Sequence, residues 1–184
     1  MGSYADDALF MSRNNIEYVE LISDDGKSKV MVIPAWQGRV MTTSAAGDEG
    51  DSYGWINYSF IKKRQIDLQF NPVGGEERFW LGPEGGVFSL YFRQGEKQIY
   101  KNWKVPPVLD IEAFKIQSQS KNCICLTKEG CLTNACGTTF YLNIKRTISL
   151  LDINEFAASF NLEFPKDIKA VAYKSCLLYT SPSP

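Results

Sequence analysis

The sequence has no histidine, no long apolar run and no excess of charge of either sign. Its 184 residues include 20 Lys and Arg against 21 Asp and Glu, a formal net charge of −1. Without histidine, the chain has no Ser–His–Asp triad, no H-E-x-x-H zinc site and no histidine general base. Without surplus positive charge it has little to neutralise a phosphate backbone. We therefore predict that nucleic acid is not a partner.

The N-terminal residues carry acidic side chains where an export signal needs positive charge. Asp6 and Asp7 occupy that region, and no apolar stretch approaches the roughly 18 residues that span a bilayer. As given, the chain therefore favours a cytoplasmic protein without a membrane span. A periplasmic or exported location stays open if a signal precedes residue 1.

The last nine residues have an unusual composition. Residues 176–184, CLLYTSPSP, look like the in-frame translation of a sequencing adapter. On this interpretation the natural sequence stops near Ser175, and residues 1–175 form one incomplete domain, a truncated fragment. The alternative is a natural Ser- and Pro-rich end that frays.

Neither the cysteines nor the acidic loop has the spacing of a known metal site. The four cysteines between 123 and 136 lack the paired C-x2–4-C pattern of structural zinc, so we interpret them as small buried or half-buried hydrophobic residues. Asp48, Glu49 and Asp51 could offer oxygen ligands to calcium, but the spacing differs from an EF-hand. A solvated acidic turn is the preferred interpretation, and we predict no metal and no cofactor.

Short β-rich segments separated by turn residues make up most of the chain. Two capping signatures, Ser3 with Asp6 and Asp152 with Glu155, introduce one short helix to about residue 13 and another after residue 152. Many short strands without β-α-β alternation predict an all-β antiparallel β-sandwich with two short helices. The predicted strands are 16–23, 29–33, 38–44, 87–93, four successive strands within 114–151, and 168–174.

The main candidate binding residues lie in the glycine-rich segment 71–86. It contains three carboxylates, a guanidinium and an indole. Acids and arginine can hydrogen-bond adjacent sugar hydroxyls in pairs, and an indole can pack on the C–H face of the ring. The structural alternative is an ion-pair lattice that ties the loop to the sandwich. The candidates here are Glu76, Glu77, Arg78, Trp80 and Glu84.

Two further stretches supply candidates for the same site. Trp55 and Asn57 follow the acidic loop, and Arg39 follows Trp36 at the mouth of a strand pair. Arg39 is either a ligand contact or the ion-pair partner of a neighbouring acid. Glycoside hydrolysis needs two carboxylates about 5–10 Å apart, and adjacent glutamates in an extended segment point to opposite sides. The segment 76–77 therefore gives weak support to a hydrolase.

Several long motifs resemble a bacterial family of domains of unknown function, over nearly all of residues 3–175. The resemblance implies a fold similar to the galactose mutarotase-like (aldose 1-epimerase-type) superfamily, a large antiparallel β-supersandwich that binds carbohydrates, of which this chain would be the N-terminal part. Mutarotases use a histidine acid and a glutamate base in the C-terminal half, so no catalytic residue is carried over. The motifs are ELISDDGKSKVMVIPAWQGRVMTTSAAGDEGDSYGWIN, GGEERFWLGPEGG with VFSLYF after it, CLTNACGTTFYLNIKRTISLLD and IKAVAYKS.

From these observations we expect a carbohydrate-active protein, one that acts on or binds a sugar or glycan. The alternatives are a non-catalytic glycan-binding module and a structural or partner-binding β-sandwich. An enzyme predicts a pocket lined by Glu76, Arg78 and Trp80 with a shifted carboxyl pKa. A binding module predicts exposed, coplanar indoles, and a structural domain predicts buried indoles and paired charges. Catalysis, the particular sugar and the oligomeric state stay open.

Overall fold

The computed structural model describes residues 2–165 and 167–180, which form two antiparallel β-sheets. The first sheet has three strands in the order β1-β2-β3, and the second has four in the order β4-β5-β6-β7. Within each sheet, strands adjacent in sequence pair antiparallel, which confirms the predicted mostly-β antiparallel architecture. The strands are β1 (Val19–Ile22), β2 (Lys29–Ile33), β3 (Arg39–Ser44), β4 (Lys115–Gln119), β5 (Cys123–Thr133), β6 (Thr139–Leu151) and β7 (Ala170–Thr180).

The two sheets bury side chains in one shared hydrophobic core, as a β-sandwich requires. On β6 the inward positions alternate with exposed ones, which is the period-2 pattern of a strand with one face in the core. Three of the four inward positions are aliphatic, and the fourth is Arg146. The shared core includes Leu21, Val30, Val32 and Val40 from the first sheet and Ile124, Leu126, Leu142, Ile144 and Ile148 from the second.

Three α-helices flank the sheets, one more than predicted. Helix α1 (Tyr4–Arg13) has the predicted capping box, in which Ser3 and Asp6 exchange hydrogen bonds, and it buries Tyr4 and Met11 in a smaller apolar cluster against β2 and β3. Helix α2 (Tyr58–Lys62) is the additional helix, and the Asn57 side chain caps it. Helix α3 (Ile153–Phe160) begins at Asp152 as predicted, but none of its side chains is buried.

Three predicted strand boundaries are wrong. Residues 87–93 form turns, because their amide groups bond locally: Ser89 N–H to Gly86, and Leu90 N–H to Pro83. The predicted separate strands at 122–128 and 131–134 form the single strand β5, since Gly130 pairs with Leu142 without a break. Strand β7 covers Ala170–Thr180, whereas the predicted strand covers residues 168–174.

The long connection between β3 and β4 contains only one short helix and two turns of 3-10 helix. This connection, residues 45–114, carries the glycine-rich segment and contacts the first sheet through the isolated bridge Val40↔Glu77, while Ile56↔Gly74 joins two parts of the connection itself. Within the described residues, no helix has the length and apolar character that crossing a membrane requires.

Candidate functional site

The glycine-rich segment is bound to the first sheet through its backbone. Glu76 and Glu77 donate their N–H groups to Val40 O at 2.9 and 3.2 Å, and Val40 N–H donates back to Glu77 O at 3.0 Å. Gly74 has a φ of +93°, and a Cβ there would overlap the carbonyl oxygen of Trp55. Only glycine therefore allows this close approach.

This attachment brings four of the predicted residues together with two that the sequence did not suggest. Glu77 accepts a hydrogen bond from Arg146 of β6, which is 1% exposed, so the segment also connects to the second sheet. Arg39, also 1% exposed, donates its Nη1 to Gly74 O at 2.6 Å. Glu76 accepts from Thr43 Oγ1 at 3.1 Å. We call Arg39, Glu77, Arg78, Asp110 and Arg146 the arginine cluster.

Arg78 and Asp110 form the other end of the arginine cluster. Arg78 donates to Leu109 O, and its Nη2 lies 3.5 Å from Asp110 Oδ1. Asn71 donates its backbone N–H and its Nδ2 to Asp110 Oδ2, at 2.9 and 2.8 Å. Asp110 is therefore a buried carboxylate held from two sides, and Arg78 positions it.

Burial dominates the electrostatics of these groups. Burial, together with the positive charges of Arg78 and Arg146, lowers the pKa of Arg39 to about 10. Burial also raises the pKa of the Asp110 carboxyl and of Glu76, while hydrogen bonds from Asn71 and Thr43 act in the opposite direction. At neutral pH Arg39 stays charged, because a pKa near 10 leaves its guanidinium protonated.

Trp80 belongs to an aromatic group on the outer side of Arg78. The Arg78 guanidinium lies 4.2 Å from the centre of the Trp80 ring, a cation–π distance. The indole is half-buried, packs against Phe70 and Tyr91, and donates Nε1–H to Glu84 Oε1 at 2.8 Å. Trp80 and Glu84 thus bind each other, and both remain reachable from solvent.

Trp55 and Asn57 contact the glycine-rich segment through backbone hydrogen bonds, but neither side chain reaches the arginine cluster. Trp55 O accepts from Gly75 N–H at 2.7 Å, while its indole is 65% exposed. Asn57 caps helix α2 through Phe60 N–H and donates Nδ2 to Pro72 O at 2.9 Å. The structure therefore does not bring these two side chains to the arginine cluster.

A separate cleft of about 220 Å³ lies between helix α2 and the segment that follows it. Its apolar wall includes Trp36, Phe60 and Ile61. The side chains of Arg64 and Gln65 are exposed at its rim, and Asn71 and Asp110 also line it. We call it the Asp110 cleft. Sequence reasoning missed Asp110, and the only signal near it was the Pro106-Pro107 break before it.

The acidic loop and the cysteines were the candidate metal-binding groups. Lys29 Nζ binds Asp48 at 2.6 Å and Glu20 at 3.4 Å, so Asp48 is part of an ion pair. Cys125 is buried, whereas Cys131 and Cys136 are exposed, which corrects the predicted burial of those two. Across residues 2–165 and 167–180, no three His, Cys, Asp or Glu side chains are grouped so as to hold a metal ion.

The fold and this region define a two-sheet antiparallel β protein with a charged cluster between its sheets and a small cleft beside that cluster. The chain belongs to a family of unknown function, DUF6786, whose model matches residues 2–180. No curated protein matches it. No solved structure matches it either.

Proposed function

We propose that this protein binds a carbohydrate, with a single sugar ring in the Asp110 cleft. The observation that carries the proposal is the lining of this cleft, in which the half-buried indole of Trp36 shares the wall with apolar side chains while Arg64 and Gln65 stand at the rim. A sugar offers both surfaces that such a cleft matches, an apolar C–H face for the indole and hydroxyls for the polar groups.

The size of the cleft limits the ligand. At about 220 Å³ it is smaller than the roughly 300–1,000 Å³ of sites that hold drug-sized molecules. One ring of a glycan, with its neighbours in solvent, suits that volume. Arg64 and Gln65 are exposed, so their donor groups are open to the hydroxyls of such a ring.

The predicted site residues support this location indirectly. Arg78 holds the carboxylate that lines the cleft, so it contributes by positioning Asp110. Trp80 and Glu84 lie in the glycine-rich segment on the outer side of Arg78 and offer a second surface for a longer glycan. Binding through Trp80 alone is the competing location.

Binding is tested by titrating the protein with panels of monosaccharides and oligosaccharides, using isothermal calorimetry and saturation-transfer NMR. We expect Trp36→Ala and Gln65→Ala to weaken binding at least tenfold. Trp55→Ala and Lys63→Ala are the matched controls, because Trp55 is an exposed indole and Lys63 an exposed neighbour of Arg64, and neither lines the cleft.

The binding results distinguish a site in the Asp110 cleft from a site at Trp80. Loss of binding in Trp80→Ala with full binding in Trp36→Ala would move the site to the glycine-rich segment. Absence of binding to every glycan in a broad array would refute the carbohydrate proposal and leave the structural or partner-binding alternative. Folding of each variant is checked by its thermal unfolding midpoint.

One observation favours catalysis as a second candidate. Burial raises the pKa of the Asp110 carboxyl, which is the direction that a general acid needs. Asp110 is the single carboxylate among the residues that line the cleft, so two-carboxylate glycoside hydrolysis is not supported there. Following the anomer ratio of free sugars by NMR, with Asp110→Asn as the variant, tests for epimerisation.

We also propose that the two sheets are part of a galactose mutarotase-like supersandwich. The antiparallel meanders and the shared core support this assignment. An experimental structure whose sheets superpose on that superfamily would support it, and a different strand order would refute it.

A further inference from the structure

The arginine cluster contains more buried hydrogen-bond donors than acceptors. Among the described residues, five guanidinium nitrogens of Arg39, Arg78 and Arg146 are buried without a hydrogen-bond partner. Two oxygens in the same region, Asp110 Oδ1 and Gln37 Oε1, are buried without a donor. The protein's own acceptors therefore cannot satisfy these donors, and buried unsatisfied donors are costly.

The excess of donors lies between the two sheets. Arg39 comes from β3 and Arg146 from β6, and each is 1% exposed. Gln37, fully buried, donates to Phe79 O at 2.5 Å, and the Arg146 guanidinium lies 5.9 Å from the centre of the Phe79 ring. Arg39 binds Gly74 O and Arg146 binds the Glu77 carboxylate, so both arginines meet the same short segment and the unpartnered groups share one interior region.

The charges of the arginine cluster do not cancel. Three guanidinium groups face the two carboxylates Glu77 and Asp110, which leaves one positive charge in the interior. Glu76, which lies beside Glu77, accepts a hydrogen bond from Thr43 and forms no ion pair with these arginines. An uncompensated buried charge is unfavourable, and an anion of opposite charge would remove that penalty.

We propose that the arginine cluster binds one small inorganic anion of the halide class, chloride in ordinary buffers, between Arg39 and Arg146. The free Nε and Nη2 of Arg39 and the free Nε and Nη1 of Arg146 are its donors. Because both guanidinium groups are enclosed, the anion is taken up when the sheets close. It is then a structural ion, independent of any sugar in the Asp110 cleft.

Linkage between folding and ion binding provides the first test. Thermal unfolding is measured in sodium chloride and sodium gluconate mixtures at fixed ionic strength. For wild type, each tenfold increase of chloride above its dissociation constant should raise the midpoint by about 3–6 °C. Arg39→Met removes one buried cation and should abolish this dependence, whereas Arg93→Met, an exposed arginine outside the cluster, should retain it.

Crystals of wild type soaked in bromide provide a test that needs no variant. The expected result is an anomalous peak between the guanidinium groups of Arg39 and Arg146. A density there without an anomalous signal would identify water and overturn the proposal. An equal chloride dependence in wild type and Arg39→Met would overturn it as well.

Discussion

Replacing Gly74 with alanine perturbs the point where the glycine-rich segment meets the first sheet. The residue has a φ of +93°, which is strained for any L-amino acid and costs about 1–3 kcal/mol. Its new Cβ would also overlap the backbone oxygen of Trp55, so the two segments must separate. Separation loses the Gly75-to-Trp55 and Asn57-to-Val73 hydrogen bonds, at about 0.5–1.5 kcal/mol each.

These contributions predict that Gly74→Ala lowers the free energy of unfolding by about 3–5 kcal/mol. For a chain of this size, the unfolding midpoint should fall by on the order of 10 °C. Urea unfolding followed by tryptophan fluorescence, together with thermal unfolding followed by circular dichroism, measures both quantities.

Alanine substitutions at two other glycines of the same segment distinguish the cost of backbone strain from that of the contact with Trp55. Gly86 has a φ of +84° with no heavy atom within 4 Å of a new Cβ, so Gly86→Ala should show only the backbone strain. Gly85 has ordinary φ and ample space, so Gly85→Ala should change stability by less than about 0.5 kcal/mol. If Gly74→Ala costs no more than Gly86→Ala, the close contact with Trp55 is refuted.

Two further predictions concern charge. Burial raises the pKa of Tyr58 and of Tyr173 to about 12, whereas tyrosines of an unfolded chain lose their protons near pH 10. The free energy of unfolding that these two residues contribute below pH 10 should therefore be lost as the pH rises toward 12. Urea midpoints between pH 9 and 11.5 check this, and Tyr58→Phe should flatten the decline; an unchanged slope would contradict it. Glu77→Ala leaves Arg146 buried without its partner and should lower the free energy of unfolding in urea by about 3–5 kcal/mol. Arg146→Met should lower it less, because the Glu77 carboxylate that then lacks a partner is partly exposed. The reverse order would contradict this account.

The elements predicted best were those specified by local patterns. The cap of helix α1 at Ser3, the cap of helix α3 at Asp152 and the bounds of strand β2 depend on residues close in sequence. Residues 87–93 have the composition of a strand, but they belong to neither sheet. Their N–H groups donate to adjacent turns, and the carbonyls of Ser89 and Tyr91 accept from Ala135 and Lys104 in irregular segments. Whether a β-rich segment becomes a strand depends on its partner, which local sequence does not specify.

The candidate site was predicted only in part for a related reason. The carboxylates and guanidinium of 76–78 stood out because they lie together in sequence. Arg146 and Asp110 come from distant segments and are recognisable only when the sheets pair and the long connection folds back. The separation of 69 residues between Glu77 and Arg146 makes their ion pair a property of the tertiary fold.

Residue 77 is joined to one sheet through its backbone and to the other through its carboxylate. A sheet that moved away from its partner would have to break either the bridge to Val40 or the ion pair with Arg146. The two halves of the sandwich are therefore expected to melt as one cooperative unit, although few residues of the long connection lie in regular secondary structure.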